Sequence, residues 1–318
     1  MESVESHPQS VSEQQTPAPE TAEPCPTPLS TAEVFESFER DAEAWEIAGP
    51  AGPIRGHTLG QGPPLYFLNG LEGTSDLFCL LAWLLREDFR CVLYDSQLNA
   101  DTVASLGKEV SQLPDVQQLL AVVDSLGDED ILLYGSGFGG WLALAGMLTA
   151  NGRFRGAILQ AAYAQKKLKL AEKLLLALAK RSKRTLKEVP GWRTVFVQNH
   201  RPWFPPFDEL RFALFHQIAG NVSVQDLAKH LRQLRRVRLD QRLAEITQPV
   251  LLLNSEGEGK VLQQRQTELE HALPHVRKEW LQHSGLIPHW THPHRVAKLI
   301  RQFAFPKEDQ SSHPETSS

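Results

Sequence analysis

Acyl transfer by side chains needs three groups: an attacking hydroxyl or thiol, a base to take its proton, and an acid to orient the base. The stretch able to seat the first is Asp130-Ile-Leu-Leu-Tyr-Gly-Ser-Gly-Phe-Gly-Gly-Trp-Leu-Ala-Leu-Ala-Gly-Met-Leu-Thr149. Residues 131–134 read as a buried strand and 141–148 as a helix. The turn between them has the spacing of a nucleophile turn, two glycines flanking a central residue that the backbone holds in a strained pose. In Gly135-Ser136-Gly137-Phe138-Gly139 the central residue is Gly137. Moving the frame by one would make Ser136 the nucleophile. It would also put Tyr134 and Phe138 where strand and helix backbones approach and only small residues fit. The unshifted frame is the better reading, and it leaves the serine one residue short.

The other two groups have candidates further on. The run Pro249-Val-Leu-Leu-Leu-Asn254 reads as a strand followed by Glu256 and Glu258, one of which could orient a base, although a loop glutamate is ordinarily exposed. Histidines cluster near the C-terminus at His283, His289, His292 and His294. His283, near a strand end, is the candidate to turn inward and pair with Ser136. The cluster lacks a metal-ligand spacing, so no metal is expected. Gly135, Gly137 and Gly140 also spell Gly-x-Gly-x-x-Gly, but the next apolar run, Gly156-Ala-Ile-Leu-Gln-Ala-Ala162, ends without the acid that would hold a ribose. No cofactor is expected.

Composition narrows the classes. The 318 residues are 41% hydrophobic with a formal charge of −5, enough for one large core with an insertion and a poor match to nucleic acid. Cys25, Cys79 and Cys91 show no zinc or disulfide spacing, the start of the chain has no signal-peptide pattern, and no apolar run is long enough to cross a bilayer. The expectation is a cytoplasmic protein.

The elements that must position the chemistry follow in order. Residues 1–43 read as a mostly disordered tail, rich in Pro, Ser, Thr and Glu, and 307–318 as another. Two short strands between 44 and 60 are split by Gly49-Pro-Ala-Gly-Pro53. Then strands and helices alternate: strand 64–68, helix 76–86, strand 90–95, helices 101–106 and 115–126, and the central stretch. They resume with strand 249–254, helix 261–273, strand 278–282 and helix 293–305. Such alternation predicts an α/β fold, a mostly parallel sheet covered by helices on both faces, with core segments 44–163 and 246–306. Residues 164–245 read as an inserted all-helical lid. Between Tyr163 and Glu245 there are 18 Lys and Arg against 7 Asp and Glu, a balance of +11, so the remainder carries −16. Leu168, Ala171, Leu174, Leu175 and Leu178 form an apolar stripe among lysines, and Arg232-Gln-Leu-Arg-Arg-Val-Arg238 is densely basic. This lid either complements the acidic body or docks on an anionic membrane or acidic partner.

Over about 260 residues the order resembles the α/β-hydrolase superfamily. Leu68-Asn69-Gly70-Leu71 resembles its oxyanion loop, residues 135–140 its nucleophile elbow, Pro249 to Glu258 the acid-bearing strand and loop, and Gly285-Leu286-Ile287-Pro288 through Pro293 its Gly-His-x-Pro motif. The resemblance implies Gly137 in the nucleophile slot, Leu286 in the histidine slot, Glu258 in the acid slot, and backbone N–H donors at Leu71 and Phe138, with Asn69 and Gly70 beside them. Residues 64–78 and 285–288 also resemble the maspardin group, whose members are regarded as noncatalytic binding proteins; maspardin keeps an elbow serine, and this chain does not. The implied function is a pseudo-hydrolase that binds an acyl or carboxylate ligand, or a protein. The alternatives are an esterase using Ser136 and His283, and peripheral membrane or acidic-partner association through the lid.

Overall fold

A computed structural model describes residues 30–71, 74–96, 109–165, 177–179, 181–206, 208–234 and 237–306. The predicted tail segments 1–29 and 307–318, the helix 101–106 and most of the apolar stripe lie outside them.

The first described element departs from the tail reading at its C-terminal end, residues 31–41. Helix α1 (Thr31–Asp41) opens on a capping box in which Ser30 Oγ accepts from Glu33 N–H and Glu33 returns the bond, and it buries Val34 and Phe38. Ser30-Thr-Ala-Glu33 is a helix-start signal followed by apolar residues four apart, which the surrounding polar composition masked.

The strands are β1 (Glu43–Gly49), β2 (Gly52–Leu59), β3 (Pro64–Leu68), β4 (Arg90–Tyr94), β5 (Ile131–Ser136), β6 (Phe154–Gln160), β7 (Val250–Ser255) and β8 (Val276–Leu281). They form one eight-stranded sheet in the order β1-β2-β4-β3-β5-β6-β7-β8. The β1–β2 hairpin pairs antiparallel and joins β4 antiparallel; all later pairings are parallel. Helices α2 (Cys79–Leu85), α3 (Pro114–Leu126) and α4 (Phe138–Thr149) fill the connections up to β6. Between β6 and β7 stands the helical insert, with α5 (Trp192–His200), α6 (Glu209–Gly220) and α7 (Val224–Gln233); α8 (Gly259–Ala272), α9 (Pro288–Thr291) and α10 (Pro293–Ala304) follow. The apolar runs that read as core strands are buried on both faces because helices cover both: α3 and α4 meet one side, α1, α2 and α10 the other.

The β5–α4 turn has no room for side chains at its flanks. A Cβ on Gly139 would lie 1.9 Å from the Leu68 carbonyl oxygen, and one on Gly135 would lie 2.3 Å from the Gly139 carbonyl oxygen. Gly137 between them has φ +58° and ψ −110°, with no atom within 4 Å of where its Cβ would be. The unshifted frame is thus the one the backbone builds: the crowded positions are glycines, and the open one faces empty space.

Substitutions should separate these roles. Gly139→Ala drives a methyl into backbone and should cost about 3 kcal/mol or more, a fall in Tm of roughly 6–12 °C in thermal unfolding. Gly137→Ala adds only backbone strain, about 1–3 kcal/mol. The reverse order of Tm values would contradict the frame.

Candidate functional site

The carboxyl ends of β3, β5, β6 and β7 meet the insert around a cavity of about 380 Å³. Its floor is Gly70, Leu71, Ser136, Gly137 and Phe138; Leu286, Ile287 and His289 close one side. Leu77, Phe78, Trp192, Phe196 and Phe215 supply apolar walls, and no Asp, Glu, Lys or Arg lines it among the described residues. Phe196, Phe204, Phe215 and Trp290 make one aromatic cluster, and Trp290 Nε1 donates to the Leu77 carbonyl at 2.8 Å, fastening α9 beneath it.

Each predicted site residue has a definite place. Gly137 and Leu286, which hold the nucleophile and histidine slots of the resemblance, both face the cavity. Phe138 begins α4, so its N–H has no acceptor within the helix and lies at the cavity floor, as an oxyanion donor would. Asn69 departs from expectation: it is buried, does not line the cavity, and donates through Nδ2 to the Tyr94 carbonyl at 2.5 Å, serving as a strut of the loop. Ser136 is half-buried at the end of β5 and lines the cavity, but its hydroxyl has no hydrogen-bond partner among the described residues. His283 is exposed, with φ +56°, its N–H held by Glu256 Oε2 at 2.9 Å. The Ser136/His283 pair of the alternative esterase reading is not formed: His283 is exposed and its turn is held by Glu256.

Glu258 also corrects the expectation of an exposed loop glutamate. It is buried, and Gln266 Nε2 donates to its Oε2 at 2.5 Å. Burial pushes its carboxyl up to about 7, against the pull of donors at Ser255, Gln266 and Ala161. The acid and histidine loops touch: Gly257 N–H donates to the Ser284 carbonyl at 2.9 Å, and Trp203 of the insert packs over both Gly257 and Gly285.

Sequence reading missed Gln160 and His200, and named His289 only as one of a C-terminal cluster. Gln160, at the end of β6 and paired in register with Ser136, is fully buried. Its Nε2 donates to the Leu286 carbonyl, so Oε1 accepts from the Tyr134 hydroxyl and from His289 Nδ1, both at 2.9 Å. That arrangement sets His289 as the Nδ1–H tautomer. His289 is buried against Phe78 and Tyr134, and burial takes its pKa down to about 3. His200, walled by Phe196 and Phe215, is lowered to about 4 for the same reason. A glutamine closing an apolar strand was the available signal for Gln160, and the histidine cluster for His289; nothing in spacing marked His200. Among the described residues no three His, Cys, Asp or Glu side chains converge as a metal set, and no helix is long and apolar enough to cross a membrane.

The shifted groups predict pH dependence of opposite sign. Folded Glu258 keeps its proton up to about 7, above the ordinary 4.5. Its contribution is complete below 4.5 and is lost as pH rises through 7. Folded His289 protonates only near 3, against an ordinary 6.5, so its contribution is complete above 6.5 and is lost as pH falls toward 3. Glu258→Gln should therefore raise Tm at pH 8 by a few degrees, on the order of 1–3 kcal/mol, with the gain vanishing toward pH 4.5 in scanning calorimetry. A gain that grew on acidification would refute the assignment.

Comparisons with known proteins agree with this architecture. The family model described as the Alpha/beta hydrolase family matches residues 62–299. A thermophilic esterase from Thermogutta terrifontis, solved with malate bound, superposes with a TM-score of 0.67 at 19% identity, covering 83% of this chain and 98% of that one. An esterase from Exiguobacterium antarcticum gives 0.67 at 18%, covering 82% and 99%. The naproxen esterase of Bacillus subtilis gives 0.60 at 14%, covering 87% and 100%. With its strand order, its glycine-framed elbow and this match over most of its length, the chain belongs to the alpha/beta hydrolase family.

Proposed function

We propose that this protein binds a neutral, mostly apolar acyl compound in the cavity beneath a helical lid and does not cleave it. The carrying observation is the elbow: the residue posed where a nucleophile would project is Gly137, with open space and no side chain. Leu286 holds the base slot, and leucine cannot take a proton. The donor at Phe138 is backbone, so it persists and can still polarise a carbonyl. A free carboxylate fits less well than an ester, amide or ketone, since the cavity walls carry no cation and both histidines are driven neutral. The maspardin-like residues fit a noncatalytic binder, and two buried free thiols, Cys79 and Cys91, fit a cytoplasmic setting.

A second reading, an esterase, draws on one observation: Ser136 and His289 line the same cavity, with His289 oriented by Gln160. Against it, a base works best with a pKa near the working pH, and His289 sits near 3. Gln160 also supplies no negative charge to stabilise an imidazolium.

Three measurements decide. The full chain should resist a fluorophosphonate probe and leave short acyl nitrophenyl esters intact; labelling that disappears in Ser136→Ala and His289→Ala would establish the esterase instead. A neutral acyl ester should quench the fluorescence of Trp192 on binding, and its carboxylate product should bind more weakly. Installing both slots, Gly137→Ser with Leu286→His, should raise ester hydrolysis on the order of 100-fold or more if Glu258 serves the acid slot the resemblance gives it and the Phe138 N–H serves as donor.

A further inference from the structure

We propose that segment 181–193, which forms part of the cavity wall, is a docking surface for an anionic lipid bilayer. Arg181, Lys183, Arg184, Lys187 and Arg193 are all exposed. The only acid in the segment, Glu188, is committed to a capping box, accepting from the Thr185 N–H at 2.6 Å and hydroxyl at 2.9 Å. None of the five cations meets a carboxylate among the described residues; Lys187 donates to the Asn221 amide oxygen at 2.7 Å. Among the described residues elsewhere in the insert, four of the six cations, Arg211, Lys229, Arg238 and Arg242, each pair with an acid within 2.8 Å, and only Arg201 and Arg232 do not. The basic run 232–238 singled out from the sequence is thus partly neutralised, as Arg238 is held by Asp240.

The apolar groups choose the partner. Val195 is 57% exposed one turn into α5, and Leu178 is 65% exposed just ahead of the basic run. Leu186 and Trp192, inside the segment, turn the other way and line the cavity. A run of cations flanked at each end by an outward aliphatic side chain matches a bilayer surface, which offers anionic headgroups and an apolar boundary together. An acidic protein would satisfy the charges and leave Val195 and Leu178 unexplained. A bilayer is also where an apolar acyl ligand resides, directly beside the cavity wall. The surface does not depend on whether that ligand is cleaved.

The test is sedimentation of the full chain with vesicles of phosphatidylcholine alone or with added phosphatidylserine. Binding is expected only with phosphatidylserine and should fall steeply from low to physiological salt. The triple variant Arg181→Glu, Lys183→Glu, Arg184→Glu should weaken it on the order of 100-fold. Val195→Ser should weaken vesicle binding several-fold and leave binding to soluble polyglutamate unchanged. No binding of the unmodified chain at low salt overturns the proposal, as does a triple variant that binds like its parent. Equal binding to polyglutamate and to vesicles, with Val195→Ser indifferent in both, overturns it in favour of an acidic protein.

Discussion

Helix α4 leaves the sheet through a gap too narrow for a Cβ, and the rest of the site depends on that crossing. With Gly139 against the Leu68 carbonyl, the end of β3 and the start of α4 share one fixed spacing. The Phe138 N–H then faces the same cavity as Gly70 and Leu71, and Gly137 is lifted toward the space above. These are backbone consequences. They hold whatever side chain occupies position 137.

Above the turn, the cavity is organised by a neutral network. Gln160 joins strand β5 through Tyr134, the histidine loop through the Leu286 carbonyl, and α9 through His289. A fully buried amide with both ends bonded fixes geometry at low desolvation cost, whereas a charge there would demand a counter-charge the walls do not provide. The network draws the polar groups toward one another and away from any ligand. For the proposed acyl ligand, that leaves recognition to shape, apolar contact and one or two N–H donors.

Much of this was legible because glycine spacing and apolar runs report backbone constraints. The strands at 64–68, 90–94 and 131–136 and the helices after them lie close to where periodicity put them, and Gly135 and Gly139 marked the crowded positions. What was hidden depends on direction more than on type. Glu258 looked like a loop glutamate, yet Gln266 one helix later draws it inward. His283 and His289 lie six residues apart on one loop, but Glu256 clamps the first outside while Gln160 receives the second. Asn69 resembled a pocket residue and instead braces Tyr94. Side-chain partners that distant in sequence leave no local pattern.

The glycine at the elbow has an energetic side as well. A side chain held at φ +58° and ψ −110° costs on the order of 1–3 kcal/mol, a strain that a working nucleophile must bear. Glycine visits positive φ without that penalty. Glycine at this position therefore relaxes the turn while leaving the Phe138 N–H and the cavity in place. The same logic applies at position 286: an imidazole there would need its own desolvated partners, while leucine adds apolar wall. Gly137 at the turn and Leu286 at the cavity wall therefore both favour the stability of this region, and the proposed binding without cleavage draws on that combination.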